Sequence, residues 1–130
     1  MVRNTTRASL NTTPTVSIII PHFNGVDILI DCLTSLNKSN YKEKEIIVVD
    51  NGSSDDSCSI LSSNFPSVKL IKSSKNLGYA GGCNLGAKNA KSPLIIFLNN
   101  DTTHTEDWIE YLVKRINSDP NIASVQPKIL

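Results

Sequence analysis

The chain has 130 residues and a formal net charge of +1, and 39% of its residues are hydrophobic. This length suits one domain with a real core, and the near-neutral charge gives no electrostatic case for binding nucleic acid or an anionic membrane. The apolar runs are too short to span a bilayer, and the first residues lack the apolar core of a signal peptide. We therefore expect a cytoplasmic protein, with a peripheral place at the inner face of the membrane as the alternative.

The cysteines and histidines do not form a disulfide or zinc pattern. The three cysteines are widely spaced, no Cys-x-x-Cys pair occurs, and the two histidines lie far apart. This usage favours a reducing compartment and argues against a zinc site. We interpret His22 and His104 as incidental, and Cys83 and Trp108 as packing residues.

The first half of the chain alternates strand and helix patterns after a polar start. Residues 1–14 are rich in Thr, Asn and Arg, and we expect them to be a mobile, disordered lead-in. Branched apolar residues predict strands at 15–20 and 45–49, and apolar residues at helical spacing predict a helix at 26–36. Serines that follow the second strand are candidate N-caps for a short helix at 55–63.

The alternation continues in the second half. Residues 68–71 predict a short third strand. The glycine-rich residues 76–86 predict a loop or helix start that presses its backbone against a neighbour or a ligand, with helix continuing to residue 91. A continuous apolar run at 94–98 predicts a fourth strand that is buried on both faces.

The last predicted elements complete an α/β pattern. Residues 103–106 have the spacing of a capping box, and an amphipathic helix follows at 108–116. A fifth strand is predicted at 122–125. Strands that alternate with helices indicate a three-layer α/β/α fold with a mainly parallel sheet, in one domain over residues 15–130.

Polar side chains gather where the predicted strands end. Right-handed crossovers place the carboxyl ends of parallel strands at one edge, where ligands of open α/β sheets bind. This edge receives Asp50 after the second strand, and Asn99, Asn100 and Asp101 after the fourth. Carboxylate and amide acceptors suit a base N–H and ribose hydroxyls, and a carboxylate also suits a divalent cation that bridges to phosphates.

Two common nucleotide-binding motifs are not found in the chain. No Gly-x-Gly-x-x-Gly follows a strand. Gly81 and Gly86 have the glycine spacing of a P-loop, but Lys88 comes one place late. The dinucleotide and P-loop classes are therefore excluded as interpretations of this edge.

Four segments resemble, in the right order, the signatures of family 2 glycosyltransferases. They are VSIIIPHFN at 16–24, EIIVVDNGSSD at 45–55, NLGYAGGCNLG at 76–86 and LIIFLNND at 94–101. The resemblance covers 15–130 and is strongest to the rhamnosyltransferase-like subgroup. It implies the GT-A fold, with a Rossmann-like nucleotide-binding half, and inverting transfer of a sugar from a nucleotide-diphosphate donor. A role in cell-wall or polysaccharide biosynthesis would follow.

The resemblance also implies which residues bind the donor. Asp101 would be the metal-binding carboxylate, with Mg²⁺ or Mn²⁺ as the cation, and the donor would be a UDP-, dTDP- or GDP-linked sugar. Phe23 would stack on the base, and Asn100 would face the ribose. The nucleotide-binding positions would be Pro21, Phe23, Asn24, Asp50, Asn51, Asn76, Gly78 and Asn100.

The chain departs from the family pattern in its residues and its length. Asn99 replaces the first Asp of the commoner Asp-x-Asp form, which leaves one metal-side carboxylate. The family's catalytic base lies in a later acceptor half, expected beyond Leu130, so no catalytic residue is assigned here. We therefore expect the chain alone to bind donor but to be inactive in transfer to a saccharide or lipid-linked acceptor. A face left by an absent acceptor half would favour self-association.

Two other functions remain as alternatives. A sugar-phosphate nucleotidyltransferase has a similar fold but needs a glycine-rich, basic loop after the first strand, where this chain has residues 21–24. A non-catalytic α/β module, structural or nucleotide-binding, would use the same glycines for packing and the same acids for turns.

Overall fold

A mostly parallel sheet forms the centre of the computed structural model, which describes residues 1–4 and 13–128. Its strand order is β1-β5-β2-β3-β4, so that β5, the last strand in the chain, lies between β1 and β2. Strand β1 pairs antiparallel with β5, and the other neighbouring strands pair in parallel. The strands are β1 (Val2–Arg3), β2 (Val16–His22), β3 (Lys44–Asp50), β4 (Lys69–Lys72) and β5 (Leu94–Phe97).

Among the residues that the structure describes, four helices cover the two faces of the sheet. Helices α1, α2 and α4 contribute to a core on one face, and α3 packs on the other. The predicted three-layer α/β/α fold is therefore confirmed. Within the described ranges, no helix is long and apolar enough to cross a membrane. The helices are α1 (Val26–Asn37), α2 (Ser57–Asn64), α3 (Gly78–Lys88) and α4 (Trp108–Asn117).

Strand β2 is the central strand, and every residue in it is buried. Ile18 and Ile20 belong to the core under α1 and α4, while Ile19 between them belongs to the core under α3. This alternation follows from the two-residue period of a strand. Helix α4 meets the sheet through the apolar stripe Ile109, Leu112, Val113 and Ile116.

The N-terminal residues differ from the mobile lead-in that the sequence predicts. Val2 and Arg3 form β1, which lies against Ile95 and Leu94 of β5. The ammonium group of Met1 donates to the carbonyl of Val125 at 2.9 Å. The prediction is therefore wrong for residues 1–4, because the open edge of β5 offers backbone partners that composition does not reveal. Residues 5–12 lie outside the described residues.

The predicted fifth strand at 122–125 is also wrong. This segment makes one isolated bridge, from Ser124 to Val2, and Ile122 and Val125 pack against the core as partly buried side chains. The guanidinium of Arg3 donates to the carbonyl of Ile122 at 3.1 Å. The apolar pattern here reflects packing beneath an irregular segment, while β1 occupies the sheet edge.

Two helix ends differ from their predictions. Helix α4 has Asp107 as its N-cap residue, without a side-chain cap hydrogen bond, so the capping box predicted at 103–106 does not form. Helix α3 ends at Lys88 rather than at residue 91.

Candidate functional site

The carboxyl ends of β2, β3 and β5 meet at one edge of the sheet. His22 and Asp50 are paired residues of β2 and β3, and Ile19 of β2 is level with Phe97 of β5. Three residues past Phe97, the side-chain amide of Asn100 lies 2.9 Å from the ring of His22. The edge therefore collects the polar residues that follow three separate strands, as the sequence predicts.

Asp50 and Asn51 lie buried at the carboxyl end of β3, and each is only 3% exposed. The carboxylate oxygens of Asp50 accept from the backbone N–H of Ser53 at 3.3 and 3.2 Å. The amide of Asn51 donates to the carbonyl of Gly78 and accepts from the N–H of Leu77, both at 3.4 Å. These two residues thus hold the loop after β3 and the start of α3 in place.

The glycine-rich start of α3 lies close over β2. A β-carbon built on Gly82 would lie 3.0 Å from Cβ of Pro21 and 3.2 Å from Nδ2 of Asn51. Pro21 is buried under this contact. Gly78 has a φ of 71°, and its N–H donates to Oδ1 of the exposed Asn76 at 2.8 Å. The predicted close approach of the glycine-rich segment to a neighbour is present in the fold.

Asn24 and Gly25 form a tight left-handed turn between β2 and α1, with φ values of 54° and 82°. The N–H of Asn24 donates to Oγ of Ser53, and Oδ1 of Asn24 accepts from the N–H of Ser54, both at 2.9 Å. The N–H of Gly25 donates to Oδ2 of Asp55 at 2.8 Å. The loops after β2 and β3 are therefore joined by three hydrogen bonds.

Phe23 is the aromatic residue that directly follows β2. Its side chain is 50% exposed, although the two residues before it are buried. An exposed ring at the carboxyl end of a central strand offers a flat apolar surface to a ligand.

His22 takes part in a buried hydrogen-bonded chain that the sequence analysis missed. Its Nε2 lies 2.8 Å from Oγ of Ser57, and its Nδ1 lies 2.9 Å from Nδ2 of Asn100. Ser57 in turn donates to Oδ1 of Asp55 at 2.5 Å. Burial lowers the pKa of His22, and the negative charges of Asp50 and Asp55 raise it by a smaller amount. The sequence contains one indication of this contact. Because side chains alternate along a strand, His22 faces the same side of the sheet as Ile18 and Ile20, which is the side on which α2 packs.

Asp101 is exposed and follows β5 by a short turn. Within residues 1–4 and 13–128, no group donates a hydrogen bond to its carboxylate, which leaves the oxygens free for a ligand. Among the residues that the structure describes, no cluster of three or more His, Cys, Asp or Glu side chains could hold a metal by itself. One free carboxylate fits a cation whose other ligands come from water and phosphate.

The other residues weighed from the sequence pack close to the core. The ring of His104 stacks on Trp108 with centroids 4.5 Å apart, and its Nδ1 lies 3.2 Å from Oγ of Ser35. Cys83 is buried, and burial raises the pKa of its thiol. A thiol with a raised pKa is a poor nucleophile.

Residues 17–129 match the family model for glycosyl transferase family 2. The chain is 34% identical over 110 residues to the uncharacterized glycosyltransferase YfnE of Bacillus subtilis (strain 168), which covers 82% of this chain and 28% of that protein. It is 27% identical over 132 residues to the poly-beta-1,6-N-acetyl-D-glucosamine synthase of Staphylococcus aureus (strain MSSA476), which covers 92% of this chain and 31% of that protein.

Solved structures share the fold at low sequence identity. The mannosyltransferase PcManGT from Pyrobaculum calidifontis, in complex with GDP-Man and Mn²⁺, superposes with a TM-score of 0.78 at 22% identity, over 86% of this chain and 34% of that one. TarS 1–349 of S. aureus, in complex with UDP-GlcNAc, gives 0.71 at 22% identity, over 80% and 31%.

The chain spans about a third of the length of these proteins. The family match nevertheless covers most of the chain itself, and the three-layer sheet agrees with the superposed enzymes. The chain therefore belongs to glycosyl transferase family 2 and has the fold of its GT-A glycosyltransferases.

Proposed function

We propose that the carboxyl edge of the sheet binds a nucleotide-diphosphate sugar together with a divalent cation, for inverting transfer to an acceptor hydroxyl. One observation carries the proposal. The neighbouring strands β2 and β5 are followed by a half-exposed aromatic ring, Phe23, and by a free carboxylate, Asp101. A flat apolar surface for a base and an anionic ligand for a cation are the two elements that a nucleoside diphosphate needs.

The nucleoside would lie between Phe23 and Asn100. Phe23 stacks on the base, a contact that every base accepts because each has a π-face. Asn100 accepts from the ribose. Asp50 and Asn51 contact the base or ribose, while Asn76 and Gly78 lie beside the ribose or diphosphate. Both residues are exposed, which suits this last position. Pro21 and Asn24 complete the set by holding the pocket walls.

Asp101 would hold the cation, Mg²⁺ or Mn²⁺. Such ions commonly use one or two carboxylates and complete their coordination with water and phosphate oxygens. When bound, the cation neutralises the charge that develops on the departing diphosphate. Because Asn99 stands beside this position in place of a second carboxylate, we expect weak cation affinity without nucleotide and stronger affinity with it.

Three carboxylates at this edge have other roles than that of a catalytic base. Asp50 is bonded to the loop after β3, and Asp55 accepts from Ser57 and Gly25. Asp101 is assigned to the cation. We therefore expect this chain, which spans about a third of its relatives, to bind donor without transferring sugar. A saccharide or lipid-linked acceptor would need residues that this edge does not supply.

A calorimetric titration with UDP, dTDP and GDP, each with and without Mn²⁺, tests the proposal. We expect saturable binding to one nucleotide that Mn²⁺ strengthens. Asp101→Ala should weaken Mn²⁺-dependent binding about tenfold or more, which is about 1.4 kcal/mol. Asp31→Ala, which removes an exposed carboxylate of α1, is the matched control and should change nothing.

Two results would contradict the proposal. Binding that Mn²⁺ does not affect would remove the cation from it. No binding to any of the three nucleotides, by a chain that is folded in circular dichroism, would favour a non-catalytic structural module instead.

A further inference from the structure

His22 is the last residue of β2 and is buried beside the proposed donor site, at 2% exposure. Its two ring nitrogens are both occupied, one by Ser57 and the other by Asn100. A ring with both nitrogens partnered inside the protein does not contact a ligand itself. Any effect of His22 on a ligand must pass through Asn100, which is half-buried and lies at the edge.

The carboxylate of Asp55 begins a row of hydrogen bonds that continues through Ser57 to His22, and it sets the direction of each bond in that row. The Ser57 hydroxyl and the backbone N–H groups of Ser57 and Gly25 all lie within hydrogen-bond distance of this carboxylate, and they lower its pKa, which keeps it ionised. An ionised carboxylate can only accept. The hydroxyl of Ser57 therefore gives its single hydrogen to Asp55, at 2.5 Å.

The proton on the imidazole follows from that constraint. Because Ser57 has no second hydrogen, its oxygen must accept from Nε2 of His22, and the ring proton is on Nε2. In a neutral imidazole the other nitrogen, Nδ1, is then an acceptor. The group that faces Nδ1 must donate, and this fixes the –NH₂ of Asn100 toward the ring, at 2.9 Å.

The orientation of the Asn100 amide is thus determined by chemistry and not by the similar shapes of its oxygen and nitrogen. With its nitrogen held by His22, the carbonyl oxygen of the same amide is turned away from the ring. A reversed amide would bring two acceptors together, the carbonyl oxygen and Nδ1, and would lose the hydrogen bond.

We propose that His22 is a positioning residue that holds the side-chain amide of Asn100 in one orientation, so that its carbonyl oxygen is presented to a ribose hydroxyl of the bound nucleotide. The ribose contact rests on the proposed function, whereas the orientation of the amide does not. Without His22 the amide samples both orientations, and only one of them offers an acceptor.

The first experiment reads the ring directly and needs no ligand. In ¹⁵N NMR of the folded chain at pH 7.5, the two histidine nitrogens have separate shifts that identify which of them carries the proton. We expect His22 in the neutral form with hydrogen on Nε2. Hydrogen on Nδ1 would overturn the proposal, because Nδ1 could then not accept from Asn100.

The second experiment compares two variants that each keep one half of the ring's contacts. In His22→Asn the side-chain amide reaches the place of Nδ1, and in His22→Gln the longer side chain brings its amide to the place of Nε2. His22→Gln, which keeps the Ser57 side, should weaken binding of the nucleotide with Mn²⁺ about three- to tenfold. His22→Asn, which keeps the Asn100 side, should stay within about twofold of the original chain.

Equal losses in the two variants, or an undiminished affinity in His22→Gln, would overturn the proposal, since a merely structural role does not distinguish them. Should these core variants fail to fold, Ser57→Ala removes the acceptor for Nε2–H without touching His22 or Asn100. That variant should show a mixture of ring tautomers in the same spectrum, and a single unchanged tautomer would overturn the proposal.

The proposed function and the positioning role of His22 are contradicted by different results. If the chain binds none of UDP, dTDP and GDP but His22 carries hydrogen on Nε2, the proposed function is wrong and the amide orientation stands. If a nucleotide binds and His22 carries hydrogen on Nδ1, the proposed function stands and the positioning role is wrong.

Discussion

A β-carbon placed on Gly86 would lie 2.3 Å from Cγ2 of Ile19, the central residue of the central strand. Helix α3 therefore approaches β2 at a distance that no side chain at position 86 allows. The same β-carbon would meet Cγ2 of Val49 at 3.2 Å. This approach fixes the distance of the first turn of α3 from Pro21 and Asn51, and hence one wall of the proposed donor site.

Gly86→Ala should destabilise the fold although alanine is the better helix former. Since Ile19 and Val49 are fully buried, neither can move aside cheaply, and overpacking of this kind costs about 1–3 kcal/mol. Urea denaturation measures the loss. Asn84→Ala, at an exposed position of the same helix, is the control and should remain within about 0.5 kcal/mol. An unchanged stability of Gly86→Ala would contradict the close packing of α3.

Phe23→Ala should weaken nucleotide binding while leaving the fold intact. The ring is half exposed, so little core is lost, whereas stacking on a base contributes about 1–3 kcal/mol, or about 5- to 150-fold in affinity. Phe23→Tyr keeps the ring and should bind as the original chain does. Tyr111→Ala removes a ring that is 64% exposed on α4 and serves as the control. Equal affinity of Phe23→Ala and Tyr111→Ala would rule out the stacking role.

Stability should fall as the pH is lowered through the range of histidine. Burial lowers the pKa of His22 and of His104 below the ordinary value of 6.5. Below that pH the unfolded chain binds protons that the folded chain does not, so the free energy of unfolding decreases as the pH falls. It should decline from about pH 6.5 until the folded-state pKa values of the histidines are reached. Burial also lowers the pKa of the Met1 ammonium, which adds a decline that begins at about pH 8.

Urea denaturation between pH 8 and pH 5 checks this dependence. The variants His22→Gln and His104→Gln should each flatten the decline, and the double variant should remove most of it. Asp55 also has a lowered pKa, but its contribution is lost only at more acid pH, below about 4. A decline that persists unchanged in the double variant would assign it to other groups.

Glu45 should matter for stability although it lies at the opposite end of the sheet from the site. One of its carboxylate oxygens accepts from the buried hydroxyl of Ser17 at 2.5 Å and from the N–H of Lys91 at 2.7 Å. Glu45→Ala leaves both donors without this acceptor and should cost about 1–3 kcal/mol. Glu43→Ala, at an exposed neighbour, should cost little. Nucleotide affinity should be the same in both variants, and a change in it would connect the two ends of the sheet.

The sequence was sufficient for those elements whose pattern is local. The apolar runs of β2, β3 and β5 and the helical spacing of α1 and α4 each lie within one segment, and each was predicted within a few residues of its bounds. Because parallel strands end on one edge, the placement of Asp50 and Asn100 followed from the same patterns.

Long-range pairing could not be predicted in this way. Strand β1 has two residues and no pattern of its own, and it forms because the edge of β5 is open. His22 was interpreted as incidental because nothing near it in sequence suggests a partner. Its contacts come from Ser57 and Asn100, 35 and 78 residues further along the chain.

The end of β2 sends three successive side chains into three different surroundings. Pro21 lies under α3, His22 turns to the opposite layer, and Phe23 reaches solvent. Inserting or deleting one residue within β2 would exchange these directions, placing an imidazole under α3 and a proline against Ser57. This strand end therefore tolerates point substitutions but not a change of length, because a change of length would move all three side chains at once.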